Sequence, residues 1–281
     1  MARELVFYVE KEGLLRDFLV GKISNKALKK IKSHGHLYVN NQEQTVRYRL
    51  TSDDIVRIVF PIEEKGRQMK AIDKPFTIMY EDDYFLVIDK DKGIPCIPNH
   101  RYDESLANYV LGYYRKHGID TTVHFVNRLD KDTSGLLLVA KYRYEQYKLS
   151  QTKITRKYIC LVDGQLLDSG SIEAPIYREG LSIKRSIDER GVYAKTNYKG
   201  LCYHNGYSFV ECELETGRTH QIRVHLASIG FPIVGDSLYG KSQEISGGQL
   251  LDSYYLSFYH PYSKEVVVFE KNKLDWRYVY D

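Results

Sequence analysis

The stretch Leu136-Leu137-Leu138-Val139-Ala140 constrains this chain more than any other. It is a continuous apolar run, too short for a confident helix, and it reads as a strand buried on both faces. A strand of that kind sits at the centre of a sheet and holds rigid whatever precedes it. What precedes it is Asn127-Arg128-Leu129-Asp130-Lys131-Asp132-Thr133-Ser134-Gly135. Ser134-Gly135 supplies a tight backbone entry into the strand, and the loop before it presents a carboxylate, Asp130, two residues from a cation, Arg128. Taken alone, an Asp and an Arg so close together are an ordinary surface ion pair.

Two further stretches change that balance. One is Glu215-Thr216-Gly217-Arg218-Thr219-His220-Gln221-Ile222-Arg223-Val224-His225, followed by Gly230-Phe231-Pro232-Ile233-Val234-Gly235-Asp236 and Tyr239-Gly240. The other is Arg156-Lys157-Tyr158-Ile159-Cys160-Leu161-Val162. Together, and in this order, the three stretches resemble the signature blocks of the RluA-type pseudouridine synthases. In that family the loop is His-Arg-Leu-Asp, two variable residues, Thr-Ser-Gly and an apolar strand. Position 127 departs from the pattern with Asn in place of His, although Asn can still donate and accept hydrogen bonds. The family's Lys-Pro-x-Gly turn is here Lys90-Asp91-Lys92-Gly93, and loss of the Pro is expected to loosen that turn without touching the chemistry. The resemblance spans residues 75 to 281.

Bulk composition agrees without deciding. Forty-one Lys and Arg against 37 Asp and Glu leave a formal charge of +4 over 281 residues, mildly basic and compatible with a local patch that meets a polyanion. The 25 tyrosines could stack on bases, but most are expected to fill half-buried faces. Cys96, Cys160, Cys202 and Cys212 form no C-x-x-C pair and read as reduced thiols of a cytoplasmic protein. The N-terminus has only a short apolar run before a charge, so neither a secretory leader nor a membrane span is expected there.

Three segments are expected. In residues 1–62, Leu14, Leu15, Phe18 and Leu19 lie at helical spacing, and Ser24 or Asn25 can cap a second helix that ends at Gly35. His36 to Asn41 then reads as strand and turn, and Asp54 to Phe60 as a closing strand. This unit resembles the alpha-L RNA-binding domain first described in a ribosomal small-subunit protein. Its second helix carries Lys26, Lys29, Lys30 and Lys32, which are either a solvated face or a grip on RNA phosphates. Residues 63–74 mix charge, Gly and Pro without apolar period and read as a linker. The remainder, 75–281, shows many strands with few helices. Helices are expected at 105–116, from Arg143 to about Thr152, and around Thr219 to Ile229. Strands are expected at 76–80, 85–90, 158–162, 194–198, 207–214 and 266–270. The fold class is α+β with a mixed, mostly antiparallel sheet, as the resemblance also implies.

The implied chemistry is isomerisation of uridine in RNA. It needs no redox carrier, so neither cofactor nor metal is expected. It does need an ionised carboxylate beside the sugar, and the resemblance assigns this to Asp130 with Arg223 as its cation. It also places Tyr158 against the uracil ring, Ile222 among the substrate contacts, and Arg128 in the space left by a flipped nucleotide. For Tyr158 the alternative is ordinary core, and for Arg128 a salt bridge to Asp130 or Asp132. Asp132 as a second catalytic carboxylate is a lesser option. His220 and His225 lack a third ligand and suit a structural or RNA-facing role better than a metal. The expected partner is RNA, ribosomal in the large-subunit branch or else transfer RNA, met by a monomer. A non-catalytic RNA-binding protein on the same scaffold and an RNA N-glycosidase are the rival readings.

Overall fold

A computed structural model describes residues 3–61, 69–99, 101–240 and 248–272. The N-terminal residues form an antiparallel four-stranded sheet in the order Glu4–Tyr8, Ile55–Val59, His36–Val39, Gln42–Glu43. Its basic helix spans Asn25–His34, and the Ser24 hydroxyl caps it by accepting the Ala27 N–H at 3.1 Å. That helix stops at Gly35, though not through a left-handed turn: Gly35 is extended, and a Cβ there would stand 2.5 Å from the Val59 carbonyl oxygen. Close packing of helix end on strand therefore requires the glycine. Asn40 and Asn41, both at positive φ, make the tight turn into Gln42–Glu43.

This unit packs firmly on the rest of the chain. Tyr144, from the helix Arg143–Ser150, enters the N-terminal core beside Leu5, Ile31 and Val56, and its ring lies 5.7 Å from that of Phe60. Arg3 donates from Nε and Nη2 to Oε1 of the buried Glu145 at 3.0 and 2.7 Å, and Tyr262 donates to the same oxygen at 2.8 Å.

The large sheet runs Ser169–Glu173, Lys195–His204, Tyr207–Leu214, Ile154–Asp163, Leu251–Tyr259, Ser134–Ala140, Phe85–Lys90, Thr77–Glu81. Among the described strands every pairing in it is antiparallel except that between Ser134–Ala140 and Leu251–Tyr259. The apolar strand is central and buried on both faces. Leu137 and Val139 enter one core with Val110 and Ile222, while Leu136, Leu138 and Ala140 enter the opposite one with Phe85 and Phe258.

Three local expectations change. The central strand Leu251–Tyr259 has no counterpart among the expected strands, because its buried Asp252, Ser253 and Ser257 mask an apolar pattern. The strand carrying Tyr158 begins at Ile154, so Tyr158 stands mid-strand, at a register shift against Leu251–Tyr259, and not at its start. Of the expected linker, residues 63–68 lie outside the described residues, whereas 70–73 lie along the helix Leu106–Lys116. There the Ile72 N–H donates to the Asn108 carbonyl at 3.0 Å, and Gly112 lets the Ile72 carbonyl approach. The helix itself closes as expected, with Gly118 at φ +69°.

Candidate active site

The loop 127–133 opens onto a cleft of about 830 Å³, whose other walls come from Arg156, Tyr158 and residues 217–223. The loop is pinned at both ends. At its start the Leu138 N–H donates to Asn127 Oδ1 at 2.8 Å, so Asn127 stitches the loop to the apolar strand. At its end the Ser134 hydroxyl donates to Asp252 Oδ1 at 2.6 Å. Gly135 lies flat on Ser253, where a Cβ would meet the Ser253 carbonyl oxygen at 2.3 Å, and its φ is +105°.

Lys90 holds the loop from below. Its buried ammonium donates to the carbonyls of Asp91, Ile94 and Lys131 at 2.8, 2.9 and 2.9 Å, and the Gly93 N–H also donates to Lys131 O. The turn that lacks the family proline is tied by these four hydrogen bonds. Burial pushes the Lys90 ammonium down to about 8, against opposing attraction from Asp132 and Asp130.

Asp130 and Arg223, far apart in sequence, meet: Arg223 Nη1 donates to Asp130 Oδ2 at 2.9 Å. Arg223 lies in the first turn of the helix Gln221–Ser228, entered through His220 in the left-handed conformation at φ 59°. Gln221 winds the preceding loop around itself, accepting from Arg218 N and Thr216 Oγ1 and donating to Lys195 O. The other two guanidinium nitrogens of Arg223 go to Asp236, Nε to Oδ2 at 2.7 Å and Nη2 to Oδ1 at 2.8 Å. Burial alone would raise the Asp236 carboxyl. The Arg223 guanidinium and the Leu238 and Tyr239 amides outweigh it and hold the group below its ordinary value.

Tyr158 and Ile222 are both buried and both line the cleft. Burial pushes the Tyr158 hydroxyl up, so its ring sits in the cleft wall as a neutral phenol. Arg128 is exposed at the cleft and has no ion-pair or hydrogen-bond partner among the described residues. Asp132 pairs with Lys131 at 3.5 Å and packs on Gly248. The two histidines separate: His225 is buried between Thr196 Oγ1 and Ala174 O, while His220 faces the cleft with Nε2 3.9 Å from Asp130 Oδ2. Burial and the Arg223 and Arg185 guanidinium groups lower the His220 pKa, against the pull of Asp130, so the ring is neutral near pH 7. Lys26, Lys29, Lys30 and Lys32 are exposed on the basic helix, outside this cleft.

Asp236, Lys90 and Asp252 complete the arrangement, and none was singled out from sequence. Asp236 lies in the second signature block and Lys90 in the turn motif, so their positions were in view and their partners were not.

A sequence model of the family described as RNA pseudouridylate synthase matches residues 84–228. An uncharacterised RNA pseudouridine synthase of Bacillus subtilis, YjbO, is 39% identical over 251 residues, covering 86% of this chain and 89% of that protein. Ribosomal large subunit pseudouridine synthase D of Nitrosomonas europaea is 33% identical over 247 residues, covering 83% of this chain and 72% of that one. Among solved structures, human RNA pseudouridylate synthase domain containing 1 superposes with a TM-score of 0.58 at 24% identity, covering 73% of this chain and 86% of that one, a likeness of fold. The chain belongs to the RNA pseudouridylate synthase family and is, like its relatives, an isomerase.

Proposed function

We propose that the protein converts uridines of ribosomal RNA, in the large subunit, to pseudouridine with Asp130 as the catalytic carboxylate. The observation that carries this reading is the 2.9 Å contact of Asp130 Oδ2 with Arg223, at the floor of a cleft that Tyr158 walls. Relatives named for large-subunit ribosomal RNA support the choice of substrate. The reaction breaks the bond from the ribose anomeric carbon to ring nitrogen 1 of uracil and joins that carbon to ring carbon 5. The proton on carbon 5 is lost and nitrogen 1 regains one, so composition is unchanged. Asp130 either attacks the anomeric carbon or abstracts the neighbouring proton. Arg223 orients it, Tyr158 and Ile222 hold the ring, and Arg128 fills the stack that the flipped uridine leaves. The N-terminal unit serves as an alpha-L RNA-binding domain, and the whole acts as a cytoplasmic monomer without a cofactor.

A carbodiimide map of pseudouridines in total RNA, from cells with and without the gene, tests this. Specific positions are expected to vanish and to return with the wild type but not with Asp130→Asn. Restoration by Asp130→Asn would falsify the role given to that carboxylate. Unchanged maps in all strains would point to a binding protein, and loss of a base mass from RNA to a glycosidase.

A further inference from the structure

A second cavity, of about 1050 Å³, runs between the two units of the protein. Ser24 and Lys26 of the N-terminal unit form one wall, and Lys153, Thr155 and Arg156 of the strand Ile154–Asp163 and its approach form the other. It adjoins the cleft: Val126, Asn127, Arg156 and Leu214 line both, and these shared residues form a neck where the two meet.

Two donors at that neck lack partners among the described residues. Asn127 Nδ2 and Arg156 Nε are both buried and unpaired, although the Asn127 side chain is otherwise engaged through Oδ1 and the residue is only 6% exposed. A buried donor without an acceptor is costly, so two on residues of one neck mark a place where an acceptor belongs. Strand alternation decides which cation of Arg156-Lys157 is available. Lys157 points to the reverse face and pairs with Glu211 and Glu213 at 3.8 and 4.0 Å. Arg156 shares the cleft face with Tyr158 and has no acidic partner among the described residues. Gly217 makes room for it, since a Cβ there would stand 2.9 Å from Arg156 Nη1. The carboxylates on the groove rim are occupied, Glu213 by Lys157 and Glu215 by Lys195 at 3.1 Å. The groove therefore presents unpaired donors and positive charge, and Arg3, Glu145 and the Phe60–Tyr144 contact fix its two walls relative to each other.

We propose that this neck and groove hold the RNA backbone on one side of the target uridine. The Arg156 guanidinium, with Asn127 behind it, takes a phosphate at the neck, and Lys153 and Lys26 take those beyond it. The proposal rests on the isomerase reading for what lies in the cleft. It narrows the lysine helix to Lys26, the one of its four lysines that lines the groove.

The test is binding of a labelled oligouridylate of about 20 nucleotides to the full chain across about 50 to 200 mM salt. Lys26→Glu with Lys153→Glu is expected to weaken binding about tenfold or more at low salt. It should also lower the slope of log affinity against log salt by about 1.4, two phosphates at about 0.7 each. Asn127→Asp keeps the acceptor for Leu138 N–H but puts a charge where the donor was, and is expected to weaken binding about tenfold, as is Arg156→Gln. Lys116→Glu with Lys199→Glu makes the same charge change outside both cavities and should leave affinity at its wild-type value within about twofold. Groove variants that track this control overturn the proposal, and the lysine pair, being exposed, carries the test should Asn127→Asp fail to fold. Pseudouridine formation in ribosomal RNA from cells lacking the gene is measured in parallel. If the wild type forms none while the groove variants still lose oligouridylate, the isomerase reading falls and the groove stands. If the wild type is active and the groove variants bind like the control, the groove falls alone.

Discussion

The loops at 127–133 and 232–240 each bring one aspartate to the Arg223 guanidinium, and they do so in opposite ways. Asp236 is wholly buried and takes two parallel hydrogen bonds from Arg223, with the Leu238 and Tyr239 amides on the same carboxylate. Asp130 keeps 24% of its side-chain exposure, takes one hydrogen bond through Oδ2, and has no partner for Oδ1 among the described residues. A guanidinium fork held on one edge cannot swing, so it presents its remaining nitrogen at a fixed point. The closed loop thus aims the arginine, and the open loop keeps one carboxylate oxygen ready for substrate. The same pairing of residue types gives an anchor in one place and a reactive group in the other, separated by burial and by the number of donors.

If that division holds, substitution should separate activity from stability. Asp130→Asn is expected to lower kcat/KM at least about a thousandfold, or about 4 kcal/mol, while leaving the melting temperature within a few degrees. Single-turnover assays beside thermal melts check this, and a large loss of stability would show that Asp130 is an anchor too. Asp236→Asn should reverse the emphasis, with a stability loss of about 3 kcal/mol from a buried guanidinium left with Asp130 alone as counter-charge, and activity falling because Arg223 loses its aim. The acid limb gives an independent reading. Asp236 is depressed in the folded state, so its contribution is complete above its ordinary value of 3.8 and drains away as pH falls through the lower folded value. Denaturant unfolding from pH 5 downward should therefore fall less steeply for Asp236→Asn than for wild type. Equal slopes would mean that Asp236 does not carry the linkage.

The open half of this arrangement was legible in sequence, and the closed half was not. Asp130, Arg223 and Tyr158 lie within motifs of distinctive composition, and an apolar run such as 136–140 has few places in a fold other than the centre of a sheet. Asp236 was in view as part of Gly-Asp, but a lone aspartate carries no sign of which cation it will meet. The strand Leu251–Tyr259 was invisible for a related reason. It lies between the two strands that carry the site, yet its polar residues interrupt the expected apolar pattern. Those residues make specific contacts, Asp252 with Ser134 and Ser253 with the Leu136 carbonyl. Lys90 escaped because a lysine in a turn is ordinarily solvated, and only three converging carbonyls make burial tolerable. The firm seat of the N-terminal unit depends on Arg3 meeting Glu145 across half of the chain, a pairing that no local pattern announces.

The smallest effect concerns the hinge between the open loop and its strand. Asp252 is buried, its Oδ2 has no partner among the described residues, and burial together with Asp89 raises its carboxyl, opposed by the Ser134 hydroxyl and Lys271. A carboxyl raised in the folded state contributes stability below its ordinary value of 3.8 and loses it as pH rises through the folded value. Ser134→Ala removes one of the groups that offset this loss. Its cost should be about 1–2 kcal/mol where Asp252 is ionised, and should shrink as pH falls through the raised folded value and the carboxyl takes up its proton. Melts of the two proteins across that range check the sign. A cost that stays constant with pH would mean that Ser134 serves only the backbone entry into the strand, and that the open loop is tuned by its arginine without help from the buried acid behind it.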